Sequence, residues 1–357
     1  MVEVGVDLGY GFVKATDGRE GFMFPSVVGA GTSVGVLRLK DVLADPTDDM
    51  RVSVDGQLYY VGNYAIRRSP RAFRGMSVKR GEGNALKVLF LAALSQFAKE
   101  PVTSFSVVTG LPPGRMGQSD ELVRALKGEH RIVRHSADEN PALSLRVEDV
   151  VVVPQPVGAY WAEVLDGDGQ VRQDSPLLRG RVGIVDIGYK TSDLVVMEDT
   201  EYVPERSTTV PVGVSSAYAE IAEKLAAKHG VEKETYALDG AVITGKMVVA
   251  GQVADITDVR EGAFAGLSTK VVAEVLSAWQ MSEFAGLLLV GGGAVALGKY
   301  LQPHLPIATV VDDPVTANSR GFWAWAHRLG SKAAAGGAGA AATGAGGTRP
   351  GRRSDAA

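Results

Sequence analysis

One short pattern occurs twice in the sequence and constrains the fold more than any other feature. In each copy, an apolar stretch ends in Asp-x-Gly and a second β-prone stretch then turns back. The first copy covers residues 2–16 around Asp7, and the second covers residues 182–197 around Asp186. The copies lie about half a chain apart, and a third β-prone segment follows each of them. The repetition therefore predicts two related domains.

The rest of the chain alternates helix-like and strand-like segments, as α/β proteins do. Apolar residues recur at helical spacing in residues 85–98, 156–165, 215–229, 269–284 and 316–329. Strand-like segments precede Gly- or Pro-rich turns at residues 105–109, 150–153 and 286–290. Turns that follow strands in this way are where α/β proteins bind ligands.

The expected domains are discontinuous in sequence. We expect the first to comprise residues 1–157 with residues 315–329, and the second to comprise residues 158–314. Residues 331–357 are almost all Ala, Gly, Ser, Thr and Arg, without a branched aliphatic residue. Such a segment buries too little apolar area to offset its ordering entropy, so we expect a disordered Gly/Ala-rich tail.

The composition excludes several classes of protein. The chain has no cysteine and five histidines without metal-ligand spacing, which excludes disulfide scaffolds, thiol chemistry and cysteine-based zinc sites. A formal net charge of -4 gives no general attraction to nucleic acid. No basic and apolar leader opens the sequence, and no apolar run approaches the ~20 residues that span a bilayer. We expect a cytoplasmic protein that binds neither a membrane nor a specific DNA sequence.

The first hairpin offers the groups that a polyphosphate site needs. Gly9 and Gly11 let backbone N–H groups approach a phosphate closely, and Asp7 can hold Mg²⁺ through water. Lys14 adds a positive charge toward the β-phosphate. The alternative is a tight turn whose aspartate only accepts hydrogen bonds within the hairpin, and the first copy alone does not decide between them.

The second hairpin makes a phosphate site the better interpretation. Asp186 would hold the metal from its side, and Gly188 with Thr191 would contact phosphate. Two such hairpins that face each other across a cleft can clamp a phosphate chain from both sides. Two alternative roles stay open for Asp193: it either caps the hairpin or acts as a ligand of the site.

The two hairpins and the glycine run at residues 291–294 resemble the phosphate-1, phosphate-2 and adenosine motifs of the superfamily of actin, sugar kinases and heat-shock chaperones. The resemblance covers residues 1–329. It implies an α/β, actin-like ATPase fold, in which two related RNase H-like domains with mixed sheets flank a nucleotide cleft. Residues 24–29 are similar to actin itself. More of the flanking sequence is similar to ParM and related bacterial and archaeal actin-like proteins: Tyr10 and residues 54–62, 109–113 and 317–321.

The resemblance implies a bound nucleotide, ATP with GTP as the alternative, together with Mg²⁺. Asp7 and Asp186 would hold the metal through water. The implied nucleotide contacts are Gly9, Tyr10, Gly11, Lys14, Gly188, Tyr189, Lys190, Thr191, Glu223, Gly291, Gly292, Gly293 and Ala294.

Two of the implied residues have competing interpretations. Gln155 stands where the superfamily has its hydrolysis residue, where ParM-like proteins often carry Glu and actin carries Gln. It would orient the attacking water. The alternative is a cap for a helix that begins at Pro156. Glu223 would contact the ribose, and its alternative is an exposed i,i+4 salt bridge.

The implied function is that of an ATPase whose hydrolysis drives the dynamics of filaments formed by self-association. A plasmid-segregation role through a separate DNA-binding adaptor is the leading expectation, and a chromosomal cytoskeletal role is the alternative. A small-molecule kinase shares the hairpins, but no sugar-kinase signature supplies a catalytic Asp. A peptide-binding chaperone is disfavoured, because no β-rich substrate domain follows the ATPase region in this sequence. One basic cluster has three alternative interpretations: a solvated face, which we favour, a filament contact, and, less favoured because aromatic stacking partners are scarce, a nucleic-acid contact. Its members are Arg67, Arg68, Arg71, Arg74, Lys79 and Arg80.

Overall fold

The computed structural model describes residues 1–32, 46–69, 71–73, 84–135, 140–230 and 235–343 of the chain. The framework of the first half is a nine-stranded sheet, counted over these residues, in the order β3-β2-β1-β7-β9-β8-β5-β6-β4. Its strands are β1 (Val2–Leu8), β2 (Phe12–Thr16), β3 (Gly21–Pro25), β4 (Val28–Ala30), β5 (Arg51–Val54), β6 (Gln57–Val61), β7 (Val102–Leu111), β8 (Gly128–Arg134) and β9 (Ala142–Pro154).

A second sheet forms the framework of the second half. Its main path, within the described chain, is β12-β11-β10-β16-β17, and β13 pairs with β11 beside that path. The strands are β10 (Arg181–Ile187), β11 (Ser192–Glu198), β12 (Glu201–Tyr202), β13 (Thr208–Val210), β16 (Gly286–Val290) and β17 (Ala308–Val310). A separate hairpin pairs β14 (Lys246–Val249) with β15 (Gln252–Asp255).

The two sheets repeat one topology. An antiparallel meander opens each, β1–β3 in the first and β10–β12 in the second. Two later strands then extend the sheet in parallel on the other side of the first strand, β7 and β9 in one case and β16 and β17 in the other. The predicted pair of related α/β units with mixed sheets is therefore confirmed.

The helices cover the sheets and connect them. Most of α2 is buried, which fits a helix that is apolar nearly all round. Helix α4 packs against α9, and both contribute to an apolar cluster with β10 and β11 that lies between the two sheets. The helices are α1 (Gly62–Arg68), α2 (Ala85–Phe97), α3 (Ser119–Leu126), α4 (Gln155–Val164), α5 (Val214–His229), α6 (Asp239–Thr244), α7 (Thr257–Ala278), α8 (Gly292–Leu301) and α9 (Ala317–Thr343).

Several element boundaries differ from the expectations. Helix α7 begins at Thr257, twelve residues before the predicted start at residue 269, because Gly262 and Gly266 interrupt the apolar spacing of its first half. The β-prone segment that follows the first hairpin, residues 21–28, is not one strand, because the chain turns after Pro25, so that β3 pairs with β2 and β4 pairs with β6.

The end of α9 differs from the expected disorder. The helix continues to Thr343, past residue 331, because alanine has the highest helix propensity and the segment extends a helix that is already formed. Residues 344–357, the rest of the predicted tail, lie outside the described residues. So do three members of the basic cluster, Arg74, Lys79 and Arg80.

Candidate functional site

The first hairpin brings a buried carboxylate and a lysine together. Asp7 and Lys14 are directly opposite in the β1–β2 ladder, where side chains of neighbouring strands lie closest. Lys14 Nζ lies 3.0 Å from Asp7 Oδ2, and Asp7 is only 1% exposed. Lys14 therefore balances the charge of Asp7 in the described structure, and its approach to a phosphate would compete with that ion pair.

The second hairpin places two carboxylates opposite each other. Asp186 and Asp193 are partners in the β10–β11 ladder, and both are buried. Like charges opposite each other are unfavourable, and burial adds to the cost of ionising them. Burial and then the Asp7 charge raise the pKa of Asp186 to about 6. Burial and then Asp186 raise the pKa of Asp193 to about 8.

Neighbouring amides orient two of these carboxylates. Asn318, in the first turn of α9, donates from Nδ2 to Asp186 Oδ2 at 2.6 Å. Its Oδ1 accepts the backbone N–H of Ala159 in α4 at 3.2 Å. Gln155, the first residue of α4, donates from Nε2 to Asp7 Oδ1. Helices α4 and α9 therefore each present one amide to one of the repeated aspartates.

The loops of the two hairpins touch each other. A Cβ built on Gly11 would lie 3.1 Å from Cβ of Tyr189, which is tighter than ordinary van der Waals contact. Lys190 Nζ stands 4.8 Å from the centre of the Tyr10 ring, a cation–π arrangement. Arg115 Nη1 donates to the Tyr10 hydroxyl at 2.6 Å. The two loops thus face one another with Tyr10 and Lys190 in contact, and Arg115, from the turn after β7, holds the Tyr10 hydroxyl.

Glycines allow the tight packing around the carboxylates. Gly291 has a φ of +82°, and a Cβ there would lie 2.3 Å from Asp186 Oδ1. A Cβ on Gly293 would lie 2.2 Å from Cγ2 of Ile187. Gly292, in contrast, has no described atom within 4 Å of such a Cβ, and it opens the N-terminus of α8. Close packing against β10 therefore requires two of these glycines, and Gly292 leaves its backbone accessible.

Two family models match most of the chain. One, described as actin like proteins N terminal domain, matches residues 5–158, and the other, archaeal actin homologue MreB-like, C-terminal, matches residues 184–303. The chain belongs to the actin-like ATPase superfamily. A comparison with curated proteins found no match.

Solved structures of this superfamily share the fold. A ParM filament from Clostridium botulinum is 24% identical, with a TM-score of 0.75 over 91% of this chain and 99% of that one. Ta0583, an archaeal actin homologue in complex with ADP, is 19% identical, with a TM-score of 0.74 over 92% and 100% of the two chains. The actin-like protein Alp7A is 16% identical, with a TM-score of 0.77 over 95% and 99%. The actin-like fold that the motifs predicted is confirmed.

The residues of the superfamily motifs lie in different environments. The turns of the two hairpins require glycine at Gly9 and Gly188, because a Cβ on Gly9 would lie 2.8 Å from Phe12 O and one on Gly188 would lie 3.0 Å from Thr191 O. Tyr189 packs edge-on against Tyr218 and donates to Thr235 Oγ1 at 3.0 Å, so its ring is anchored within the second half. Ala294 is buried, which leaves only its backbone for a ligand.

Two of the competing interpretations are wrong. Gln155 is not a helix cap, because Pro154 occupies the N-cap of α4 and the Gln155 amide bonds to Asp7. Glu223 forms no i,i+4 salt bridge, because the residues four positions away are Ala219 and Ala227. Glu223 lies exposed on α5.

Asp193 does not cap the hairpin turn, because it lies within β11. The site also contains residues that the sequence did not assign. Asn318 belongs to a segment already noted as ParM-like, but nothing in it indicated a bond to Asp186. Arg115 reaches the first hairpin from a distant segment, and Thr209, on β13 beside the second hairpin, accepts a hydrogen bond from Gly114 of the first half. Only the fold reveals them.

The donor set fits a metal that is held through water. Within the described residues, no group of three or more His, Cys, Asp or Glu side chains is arranged to hold a metal ion directly. Yet three buried carboxylates lie close together, and Asp193 Oδ1 has no hydrogen-bond partner among the residues described. A hydrated divalent cation would compensate that charge without displacing the bonds from Lys14, Gln155 and Asn318.

Proposed function

We propose that the chain binds ATP with Mg²⁺ between its two hairpins, hydrolyses it, and assembles into nucleotide-dependent filaments. The observation that carries the proposal is the meeting of the two Asp-led hairpins, with buried carboxylates directly beneath their touching loops. The ADP complex of Ta0583 and the filament of the C. botulinum ParM support it by analogy. In this proposal residues 1–157 with 315–329 face residues 158–314 across the nucleotide.

The proposed nucleotide contacts follow from the site. Backbone N–H groups of the turns at Gly9–Gly11 and Gly188–Thr191 would hold the phosphates, with Lys14 and Lys190 supplying positive charge. The start of α8 at Gly291–Gly293, where Gly292 is accessible, would take the adenosine side, and Glu223 the ribose. Mg²⁺, when bound, would neutralise phosphate charge, and Asp7 and Asp186 would hold its water ligands.

Gln155 is the proposed hydrolysis residue. Its Nε2 donates to Asp7, so its Oε1 is left to accept a hydrogen bond from the attacking water. Glutamine is too weak a base to take the proton, and its role is to orient that water toward the γ-phosphate. Because Asp7 holds the amide, the orientation is fixed before the nucleotide arrives.

The test is assembly and turnover by the purified protein. With ATP and Mg²⁺, electron microscopy should show filaments, and phosphate release should accompany them. Gln155→Ala should slow phosphate release about 100-fold and change nucleotide affinity little, because it removes the group that orients the attacking water and leaves the phosphate-binding loops unchanged. Filaments of this variant should last longer.

Gln170→Ala, an exposed substitution in the second half, is the matched control and should behave as wild type. Turnover of Gln155→Ala at the wild-type rate would remove the role of Gln155. Phosphate transfer to a sugar without filaments would replace the whole proposal by a kinase.

We propose that the filaments segregate plasmid DNA through a DNA-binding adaptor. If they do not, an unstable plasmid carrying the gene and its flanking DNA will be lost as fast as its empty parent.

A further inference from the structure

A row of polar side chains crosses the second sheet at the level of the site. The ladder registers make Asp186 the partner of Asp193, and Asp193 the partner of Thr209 on β13. Partners in adjacent strands point to the same face of a sheet. Asn318 holds the Asp186 end of this row by its 2.6 Å hydrogen bond. The row therefore runs from the carboxylates of the site to the edge of the second sheet.

The other end of the row contacts the first half of the molecule. Thr209 Oγ1 accepts the backbone N–H of Gly114 at 3.0 Å. Gly114 lies in the 3₁₀ turn Pro113–Gln118 that follows β7 of the first sheet. A Cβ on Gly114 would lie 3.3 Å from both Cβ and Oγ1 of Thr209, so the two backbones approach closely. This hydrogen bond joins the two halves outside the hairpin loops.

Asp193 is the link between these ends. Its carboxylate is 4% exposed, and the Thr209 hydroxyl partly offsets the pKa increase that burial and Asp186 cause. Thr209 is the direct partner of Asp193 in the β11–β13 ladder, and partners of this kind lie side by side on one face of the sheet. Thr209 therefore stands between the carboxylate pair and the contact with Gly114.

We propose that Thr209 is a positioning residue that couples the carboxylate centre to closure of the two halves. Its oxygen holds Gly114 of the first half, and its hydroxyl faces Asp193 of the second. The phosphate-binding loops do not make this contact, so it would add to the closure that a nucleotide between the hairpins would require. The inference rests on the proposed nucleotide site, but the contact itself is independent of it.

The test measures closure and nucleotide retention in Thr209 variants. Because the chain has no cysteine, Ala125→Cys in α3 and Lys270→Cys in α7 give two exposed labelling sites, one in each half. Thr209→Val keeps the shape and removes the hydroxyl. It should broaden and lengthen the distance distribution between the labels. It should also speed dissociation of a non-hydrolysable ATP analogue about 2- to 12-fold, the worth of one net hydrogen bond.

Two further variants separate coupling from general destabilisation. Thr209→Ser retains the hydroxyl and should restore both measurements. Thr208→Val, an exposed neighbour in β13, should leave both as in wild type. Wild-type distances and dissociation in Thr209→Val would overturn the proposal, and so would faster dissociation with an unchanged distance distribution, which would confine Thr209 to a local effect on Asp193.

The proposed function can fail separately. If wild type binds no nucleotide, the nucleotide site is wrong, and the distance distribution of nucleotide-free protein still decides whether Thr209 holds the halves together. A wider distribution in Thr209→Val than in Thr208→Val would then support the contact, and equal distributions would remove it.

Discussion

Asp193 is a carboxylate that the fold places in an unfavourable environment. Burial and the charge of Asp186 raise its pKa from 3.8 to about 8. Between these two values the folded protein holds a proton that the unfolded chain has released. The free energy of unfolding therefore falls as the pH rises through this window, by roughly 1.4 kcal/mol per pH unit for one such group. Below the window the group is neutral in both states and costs nothing.

Replacing this carboxylate should flatten the pH dependence. Asp193→Asn keeps the size of the side chain and removes the charge, so it should raise the free energy of unfolding at pH 8 and above, relative to wild type, and change it little at pH 4. Urea unfolding of the nucleotide-free protein across this range measures the effect. Asp168→Asn, in an exposed turn, should leave the wild-type profile unchanged. An equal slope in Asp193→Asn and wild type would show that Asp193 is ionised in the native state.

At the scale of single residues, the repeated pattern in the sequence identified some residues of the site, and the residues outside that pattern could not be identified from it. Asp7 and Asp186 stand out because their hairpins repeat a pattern. The position of Asp193 within β11 depends on where the turn ends, and a one-residue shift would have moved it to the opposite face. Asn318 comes from α9, far along the chain, and its bond to Asp186 follows from tertiary packing that no local pattern encodes. Thr209 lies in the third β-prone segment after the second hairpin, but its contact with Gly114 depends on how the halves dock.

At the scale of elements, the contact between α4 and α9 holds the amides of the site in place. A Cβ on Gly321 would lie 1.7 Å from the carbonyl oxygen of Gly158, so the helices cross with their backbones in contact. Gln155 belongs to α4, and Asn318 lies one turn before Gly321 in α9. Separating the helices would therefore move both amides away from their aspartates.

Gly321→Ala should disturb stability and the site together. The added methyl has no space, and overpacking of this kind costs about 1–3 kcal/mol. We expect a lower urea midpoint and weaker Mg²⁺-dependent nucleotide binding. Gly262→Ala in α7 is the matched control: no described atom lies within 4 Å of the added Cβ, so this substitution should stabilise by up to about 1 kcal/mol. Equal stability of Gly321→Ala and wild type would mean that the helices can separate without cost.

Elements with a strong apolar period were predictable, and those defined by long-range pairing were not. The hairpins β1–β2 and β10–β11 follow from alternation and turn residues. Strands β5 and β6 form a local hairpin around Asp55-Gly56, but their place in the first sheet depends on the pairing of β5 with β8, which is distant in sequence. The β14–β15 hairpin is short and half exposed, which weakens its alternation. The long-range pairing of β5 with β8 and the β14–β15 hairpin carry too little local signal for a single sequence to reveal them.

At the scale of the whole molecule, the repeated topology explains why the site lies between two halves. Each half contributes one hairpin, and neither hairpin alone brings Asp7, Asp186 and Gln155 together. The sequence predicted the pair of related sheets, but not the cross-contacts of Lys190 with Tyr10 and of Thr209 with Gly114, because these depend on how the halves dock. No helix in the described part of the chain has the length and apolar character needed to cross a bilayer.

A ligand that bridges the halves should stabilise the molecule as one unit. Binding to the native state alone adds about 2.7 kcal/mol at a ligand concentration 100 times Kd, which raises Tm. ATP should therefore raise Tm more with Mg²⁺ than with EDTA. Asp186→Asn should remove most of the Mg²⁺-dependent increase in Tm, because it removes one of the two repeated aspartates that would hold the metal's water. Asp168→Asn should retain that increase. A Mg²⁺-dependent shift of wild-type size in Asp186→Asn would place the metal elsewhere. In that case the two hairpin loops would bind the phosphates, and Asp186 would take no part in holding the metal.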